Sequence, residues 1–438
     1  MLLPAGIVLQ DIYPKYYGLR FAAIASAFFW SSIAIALINP ILGVLSDWYK
    51  ARVGGRKSWT IVGFTLFVIS SYCLLVPVRP MTATYFAVCL AATQIFWIVF
   101  DVPHLAWGSE LVHDYDMRTR LFSLRNCVVT LGGACFYVLP LLPIFDSSDI
   151  TPLTLKYAAV IGSLYFFPAA FFAVGLVPDT KPSPRVEAWS IRHDLKLILS
   201  NRPFIIFMLA SVFQAFGEGM WMALVSVIFD YYYKIGSKFS AMYLSGSIVA
   251  AVGFPIFVKA STRIGKKGSF AILQLTFIAL ITAGSLISPG RYAYIPLTGI
   301  LMGVSSILIF NTAITQAILA DIADYGLWKS GRAQAGGYYA VLYFFEFLIG
   351  GLGAPLGLAI LDRFGFSPHG ITDMRAAKIA VDLAFFLVPS IMTVIALAFI
   401  WRIPICAHRA AVIRRRIALR SKYPKLVHDV TLTEAAGA

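Results

Sequence analysis

The 438-residue chain is 59% hydrophobic and only 13% charged, with a formal net charge of +15. Soluble domains carry about a quarter charged residues, and no globular surface can be assembled from this composition. Apolar runs of the roughly 20 residues needed to cross a bilayer recur along almost the whole chain, so a polytopic membrane protein is implied.

The runs divide into twelve spans, at 1–17, 20–46, 57–77, 83–111, 121–146, 155–177, 203–232, 238–259, 268–288, 292–322, 337–364 and 375–402. In the first, thirteen residues precede Pro14 and Lys15. A helix rising 1.5 Å per residue needs more to cross about 30 Å of hydrocarbon, so a start upstream of Met1 is expected to complete helix one. The longest polar interruption is the Pro- and charge-rich 178–202. It separates an N-terminal six-helix bundle, 1–177, from a C-terminal one, 203–402, with a basic tail at 403–438. Six plus six around a central linker is the layout of a carrier built from two related halves.

Charge placement orients the spans. The even-numbered loops and the tail hold 25 of the 36 Lys and Arg residues, the odd-numbered loops hold 10, and Arg125 opens the fifth span. Positive loops stay cytoplasmic, so the even loops and the C-terminus are expected there, in a multi-pass plasma (inner) membrane protein. The tail "HRAAVIRRRIALRSKYPK" is matched to anionic headgroups of the lipid bilayer rather than to nucleic acid. Five cysteines lack C-x-x-C spacing and read as packing residues.

Between spans two and three lies "GVLSDWYKARVGGRK". Gly43 permits close helix approach, and Asp47 can pair with Arg52, Arg56 or Lys57 and break that pair when the halves rock. A fainter copy, "KASTRIGKKGSF", follows span eight without the acid.

Span four carries "WIVFDVPHLAWGSE". Gln94, Trp97, Asp101, His104 and Gly108 share one helical stripe. An acid at this depth costs about 2.5–3.5 kcal/mol on insertion scales, so it faces a bundle interior or wet cavity. Asp101 and His104 beside Trp97 make an amphipathic cavity wall. Glu218, between glycines in "FGEGMWM" of span seven, and Glu346, in "YFFEFLIGG" of span eleven, are further cavity-facing acids. Asp321 and Asp324, in "LADIADYG", lie near the cytoplasmic end of span ten, where a gating role is expected.

The loop two–three segment resembles the signature of the major facilitator superfamily. Three stretches, "DVPHLAWGSELVHDYDMRTRLFSLR" (101–125), "LILSNRPF" (197–204) and "LADIADYGLWKSGRAQAGGYYAVLYFF" (319–345), resemble its glycoside–pentoside–hexuronide:cation symporter branch. The resemblance covers essentially the whole chain. It implies an all-α membrane fold of two six-helix bundles around a central cavity, working by alternating access. It also implies sugar-binding roles for Asp101 and Arg125. The two helix-two acids of the family's cation site fall on Ile35 and Asn39, and its helix-eleven lysine falls on Phe347, beside Glu346.

No phosphate-binding loop, nucleophile elbow or His/Cys cluster is present, so an enzyme is not expected and no cofactor is called for. The expected function is secondary active transport, with proton-coupled symport of a sugar or glycoside-like solute by a monomer. One carboxylate can carry a proton but offers little of the oxygen cage that sodium needs. Asp101 and His104 are the coupling candidates. The candidate substrate contacts are Asp101, Arg125, Trp97, Asn39, Glu218 and Glu346; the gating candidates are Gly43, Asp47, Arg56, Lys57, Asp321 and Asp324. An amphipathic organic acid or lipid-like cargo is the alternative within this class, and a non-transporting polytopic protein the alternative outside it.

Overall fold

The computed structural model describes residues 2–53, 56–78, 80–111, 125, 128–129, 131–145, 147–177, 191–290, 292–330, 335–367, 369–403, 412–413 and 415–416. The first half contains α1 (Leu2–Tyr17), α2 (Phe21–Val53), α3 (Lys57–Leu75), α4 (Ala83–Leu111), α5 (Leu131–Leu141) and α6 (Pro152–Leu176). A short linker helix, α7 (Ile191–Leu199), precedes the second half. There α8 (Arg202–Val227), α9 (Gly236–Ile264), α10 (Lys266–Ser285), α11 (Tyr294–Ser330), α12 (Ala335–Phe345), α13 (Gly353–Arg363), α14 (Met374–Val381) and α15 (Val388–Trp401) follow. π turns at Glu346–Gly350 and Asp382–Leu387 join α12 to α13 and α14 to α15 into single spans. Among the described residues, ten helices are long and apolar enough to cross a membrane. The fifth expected span is represented by α5, its even-loop approach lying largely outside the described residues.

Helix formation follows from apolar composition, because hydrocarbon leaves backbone groups no partner but one another. Pro103, Pro168 and Pro255 lie inside continuous helices, as neighbouring helices permit in a bundle. The linker differs from a purely polar interruption. Its helix buries Ile198 at 1% exposure, so one apolar face of "IRHDLKLIL" seats against the second bundle.

The motif residues brace helix ends. Asn201 caps α8 by accepting from the Phe204 N–H at 3.3 Å, and its amide donates to the Tyr338 hydroxyl at 2.9 Å. Tyr338 in turn fits only because residue 326 is glycine: a Cβ there would overlap the phenol. Thus "LILSNRPF" and both ends of "LADIADYG…GGYY" form one joint between α8, α11 and α12.

The halves meet firmly at the odd-loop end. Lys15 pairs with Asp230 at 2.5 Å, and Arg20 with Asp362 at 3.3 Å. Asp362 also accepts from the Ala22 N–H at 3.2 Å, and Ser226 donates to the Ile7 carbonyl at 3.0 Å. Phe21 packs edge-on against Tyr231 and Phe366, and Tyr137 stacks on Tyr243 at 4.3 Å. Phe366 belongs to a small hairpin, β1 (Phe366–Ser367) with β2 (Gly370–Ile371), that covers this end. These contacts seal the two halves together at the odd-loop end.

Candidate functional site

At the even-loop end, Gly43 and Asp47 fall in the last turns of α2, where their side chains lie outside the described residues. Arg56 is buried, and its carbonyl accepts from the Thr60 hydroxyl at 2.9 Å. The Lys57 ammonium stands 6.0 Å from the Trp107 ring centre, a cation–π contact with α4.

The second half holds the better described ion pair. Lys266, from the copy that lacks an acid in sequence, donates to Asp321 at 2.5 Å and to the Ala317 carbonyl at 2.8 Å. The missing acid is supplied in space by α11. Asp324 lies three residues, about one turn, beyond Asp321 on the same helix and within electrostatic reach of Tyr339.

Deeper in the first half, Asp101 on α4 is ion-paired with Arg125. Both side chains stay about a fifth to a quarter exposed (21% and 24%), so solvent or solute can reach them. The carboxylate costs too much in hydrocarbon to stand alone, and a guanidinium offers the strongest geometric match. Asp101 and His104, on one helical face, do not bond to each other. Among the described residues Asp101 bonds to Arg125, while the buried His104 Nδ1 has no partner and the ring stacks on Phe100 at 5.1 Å.

The neighbouring positions divide between packing and polarity. Trp97 packs against Phe67 and Phe100, at 5.2 and 5.6 Å between ring centres. Ile35 is buried with Leu42 and Ile98, and Asn39 is half-buried one turn further along α2. Gln94 accepts from the Ser31 hydroxyl at 3.0 Å, tying α4 to α2.

The second half contributes a polar chain that the residue-by-residue reading missed. Glu218 accepts from Gln214 at 3.0 Å and from Asn311 at 2.9 Å, and Asn311 accepts from Gln274 at 3.1 Å. Gln214 lies one turn before Glu218, an i, i+4 spacing that is a usable signal; Gln274 and Asn311 come from α10 and α11 and carry no local one. Glu346 starts the π turn and is an electrostatic neighbour of Glu218. Tyr343 lies within reach of Glu346 and, across the halves, of Asp101. The structure therefore gathers Asp101 and Arg125 on one side and Tyr343, Glu346 and Glu218 on the other.

Two helical bundles, sealed together at one end and enclosing ionisable groups at membrane depth, define a multi-pass membrane carrier of the major facilitator fold. Residues 1–407 match the family described as MFS/sugar transport protein, and the chain belongs to that family. It is similar to the "Uncharacterized symporter YjmB" of Bacillus subtilis (strain 168), 22% identical across 90% of this chain and 86% of that protein. It is similar also to the "Isoprimeverose transporter" of Lactiplantibacillus pentosus, 24% identical across 89% and 83%. Among solved structures, a bacterial homolog of the human lysosomal transporter Spinster, inward-facing and unoccupied, aligns with a TM-score of 0.66. The two are 14% identical, over 91% of this chain and 92% of that one. The resemblance to glycoside–pentoside–hexuronide symporters is upheld, and the chain is a membrane transporter rather than an enzyme.

Proposed function

We propose that this transporter imports a glycoside-like solute together with a proton across a bacterial inner membrane, as a monomer with its C-terminus in the cytoplasm. The observation that carries the reading is the Asp101–Arg125 pair, an ion pair at membrane depth that stays about a fifth to a quarter exposed (21% and 24%) in a chain whose odd-loop end is sealed. Relatives named for isoprimeverose, lactose and raffinose support a sugar-class cargo.

The pair gives the coupling a mechanism. With the cavity open outward, sugar hydroxyls engage Arg125, and Asp101, deprived of its counter-ion, takes a proton. Opening inward releases the sugar, Arg125 returns to Asp101, and the proton leaves. The conformation seen here, sealed at the odd-loop end with the ion pair closed, corresponds to the last of these steps. Lys266 and Asp321, on the cytoplasmic side, are the gate contact of the second half.

The test is uptake of labelled isoprimeverose, lactose and raffinose into proteoliposomes under an imposed pH gradient or sodium gradient. Wild type should concentrate at least one of them on the pH gradient alone. Asp101→Asn, which mimics the protonated acid, should lose accumulation yet retain exchange. Accumulation on sodium alone, or an accumulating Asp101→Asn, overturns the assignment.

A further inference from the structure

Glu218 and Glu346 stand apart from the pair described above, within the second half. At 1.5 Å per residue, Glu218 lies roughly 24 Å along α8 from Arg202, and Glu346 roughly 17 Å along its span from Ala335. Both are thus well inside hydrocarbon depth. Their helices touch because glycines face each other: a Cβ at Gly219 would lie 3.1 Å from the Gly350 carbonyl.

No cation offsets this charge among the described residues. Glu346 is the neighbouring acid that acts on Glu218. The α15 segment carries no ionisable side chain, the inner lengths of α2, α10 and α11 carry none, and the charges of α1 and α13 lie at the sealed end. Tyr343 is the remaining titratable neighbour, and Arg125 is engaged by Asp101. Two carboxylates in a low dielectric repel and are each costly to bury without a positive partner.

The frame around them is also short of a donor. Glu218 Oε1 accepts from two amides, yet Gln214, only 4% exposed, keeps its Oε1 buried without a partner among the described residues. Gln274 Oε1, behind Asn311, is orphaned in the same way at 0% exposure. A buried acceptor without a donor is expensive, and π turns such as the one beginning at Glu346 concentrate at functional sites. What the corner lacks, among the described residues, is a hydrogen-bond donor and an offset to its negative charge.

We propose that Glu218 and Glu346 hold one proton between them, forming a second proton site that is distinct from Asp101. A hydronium ion in the cavity transfers its proton to one carboxylate and leaves as water. The pair passes from two negative charges to one, and the new O–H supplies the missing donor. The site extends the symport reading but does not depend on it, because it is defined without any solute.

Infrared difference spectroscopy on the full-length protein in liposomes tests it, with sodium-free buffer, no sugar, and pH stepped from alkaline to mildly acidic. Wild type and Asp101→Asn should both gain a protonated-carboxyl C=O band, Glu218→Gln and Glu346→Gln, each freed of the neighbouring negative charge, should gain it only at lower pH, and the Glu218→Gln/Glu346→Gln double variant should lack it. Glu346 makes no hydrogen bond among the described residues, so Glu346→Gln keeps the fold, and the wild-type titration reports independently. A band that vanishes in Asp101→Asn, or one that persists in the double variant, overturns the proposal. So does a wild-type band abolished by sodium at constant pH, which would mean a metal-ion site. Failure of proton-driven sugar uptake would leave the predicted spectra unchanged.

Discussion

Asp362→Ala probes whether the contacts at the odd-loop end hold the transporter sealed. One carboxylate oxygen of Asp362 meets Arg20, and the other accepts from the Ala22 N–H. That amide belongs to the first turn of α2, where a helix has no acceptors of its own and favours negative charge. The Arg20 side chain is 75% exposed, so its ion pair contributes only about 0.5 kcal/mol. The amide-to-carboxylate bond contributes about 1.5 kcal/mol. Their loss, about 2 kcal/mol, shifts the balance between sealed and open forms roughly 30-fold. Ser226, 3% exposed and bonded across the halves to Ile7, is a reporter for opening. With Ser226→Cys in a chain whose five native cysteines are replaced, a membrane-impermeant maleimide should label Asp362→Ala roughly 30-fold faster from the odd-loop side. Asp362→Asn, still able to accept from Ala22, should fall between. Equal labelling rates in all three would show that these contacts do not hold the seal, and the reasoning would fail.

Three further outcomes are expected. Gly326→Ala forces a methyl onto the Tyr338 phenol, an overpacking cost of about 1–3 kcal/mol; the melting temperature should fall and partly recover with Tyr338→Phe, and an unchanged melt would contradict the joint. Asn201→Ala removes both the cap of α8 and the bond to Tyr338, which costs about 1–2 kcal/mol; Asn201→Ser, which can still cap, should restore part of the melting temperature. Lys266→Ala and Asp321→Asn should show a coupling of about 1 kcal/mol in a double-mutant melting cycle, because Lys266 remains 35% exposed; zero coupling would remove the pair from the gate.

Much of this architecture is legible in the chain. The fourth span was expected at 83–111 and α4 occupies Ala83–Leu111, because hydrocarbon imposes a length and a composition that leave few alternatives. Asp101 stands out because an acid is costly there, and Arg125 because the family motif ends on it. The seal is different. Lys15 and Asp230 are 215 residues apart, and Arg20 and Asp362 are 342 apart; nothing local marks either as a partner. Likewise Gln274 and Asn311 are single amides on separate helices, and only packing reveals that they extend the Glu218 network. Asp321 was placed at a gate, but its partner Lys266 lay in a motif copy that had lost its own acid. His104 shares the helical face of Asp101, and only packing reveals that Arg125 bonds to the carboxylate while His104 stacks on Phe100.

In the proposed symport a proton enters with sugar through Asp101 and Arg125. The most direct test places de-energised proteoliposomes in weakly buffered medium with an external pH-sensitive dye, then adds lactose, isoprimeverose or raffinose. Symport predicts that a transported sugar raises the external pH with wild type, and that Asp101→Asn exchanges the same sugar with no pH change. Sugar entry with wild type that leaves the external pH flat, or an equal rise with Asp101→Asn, would contradict it.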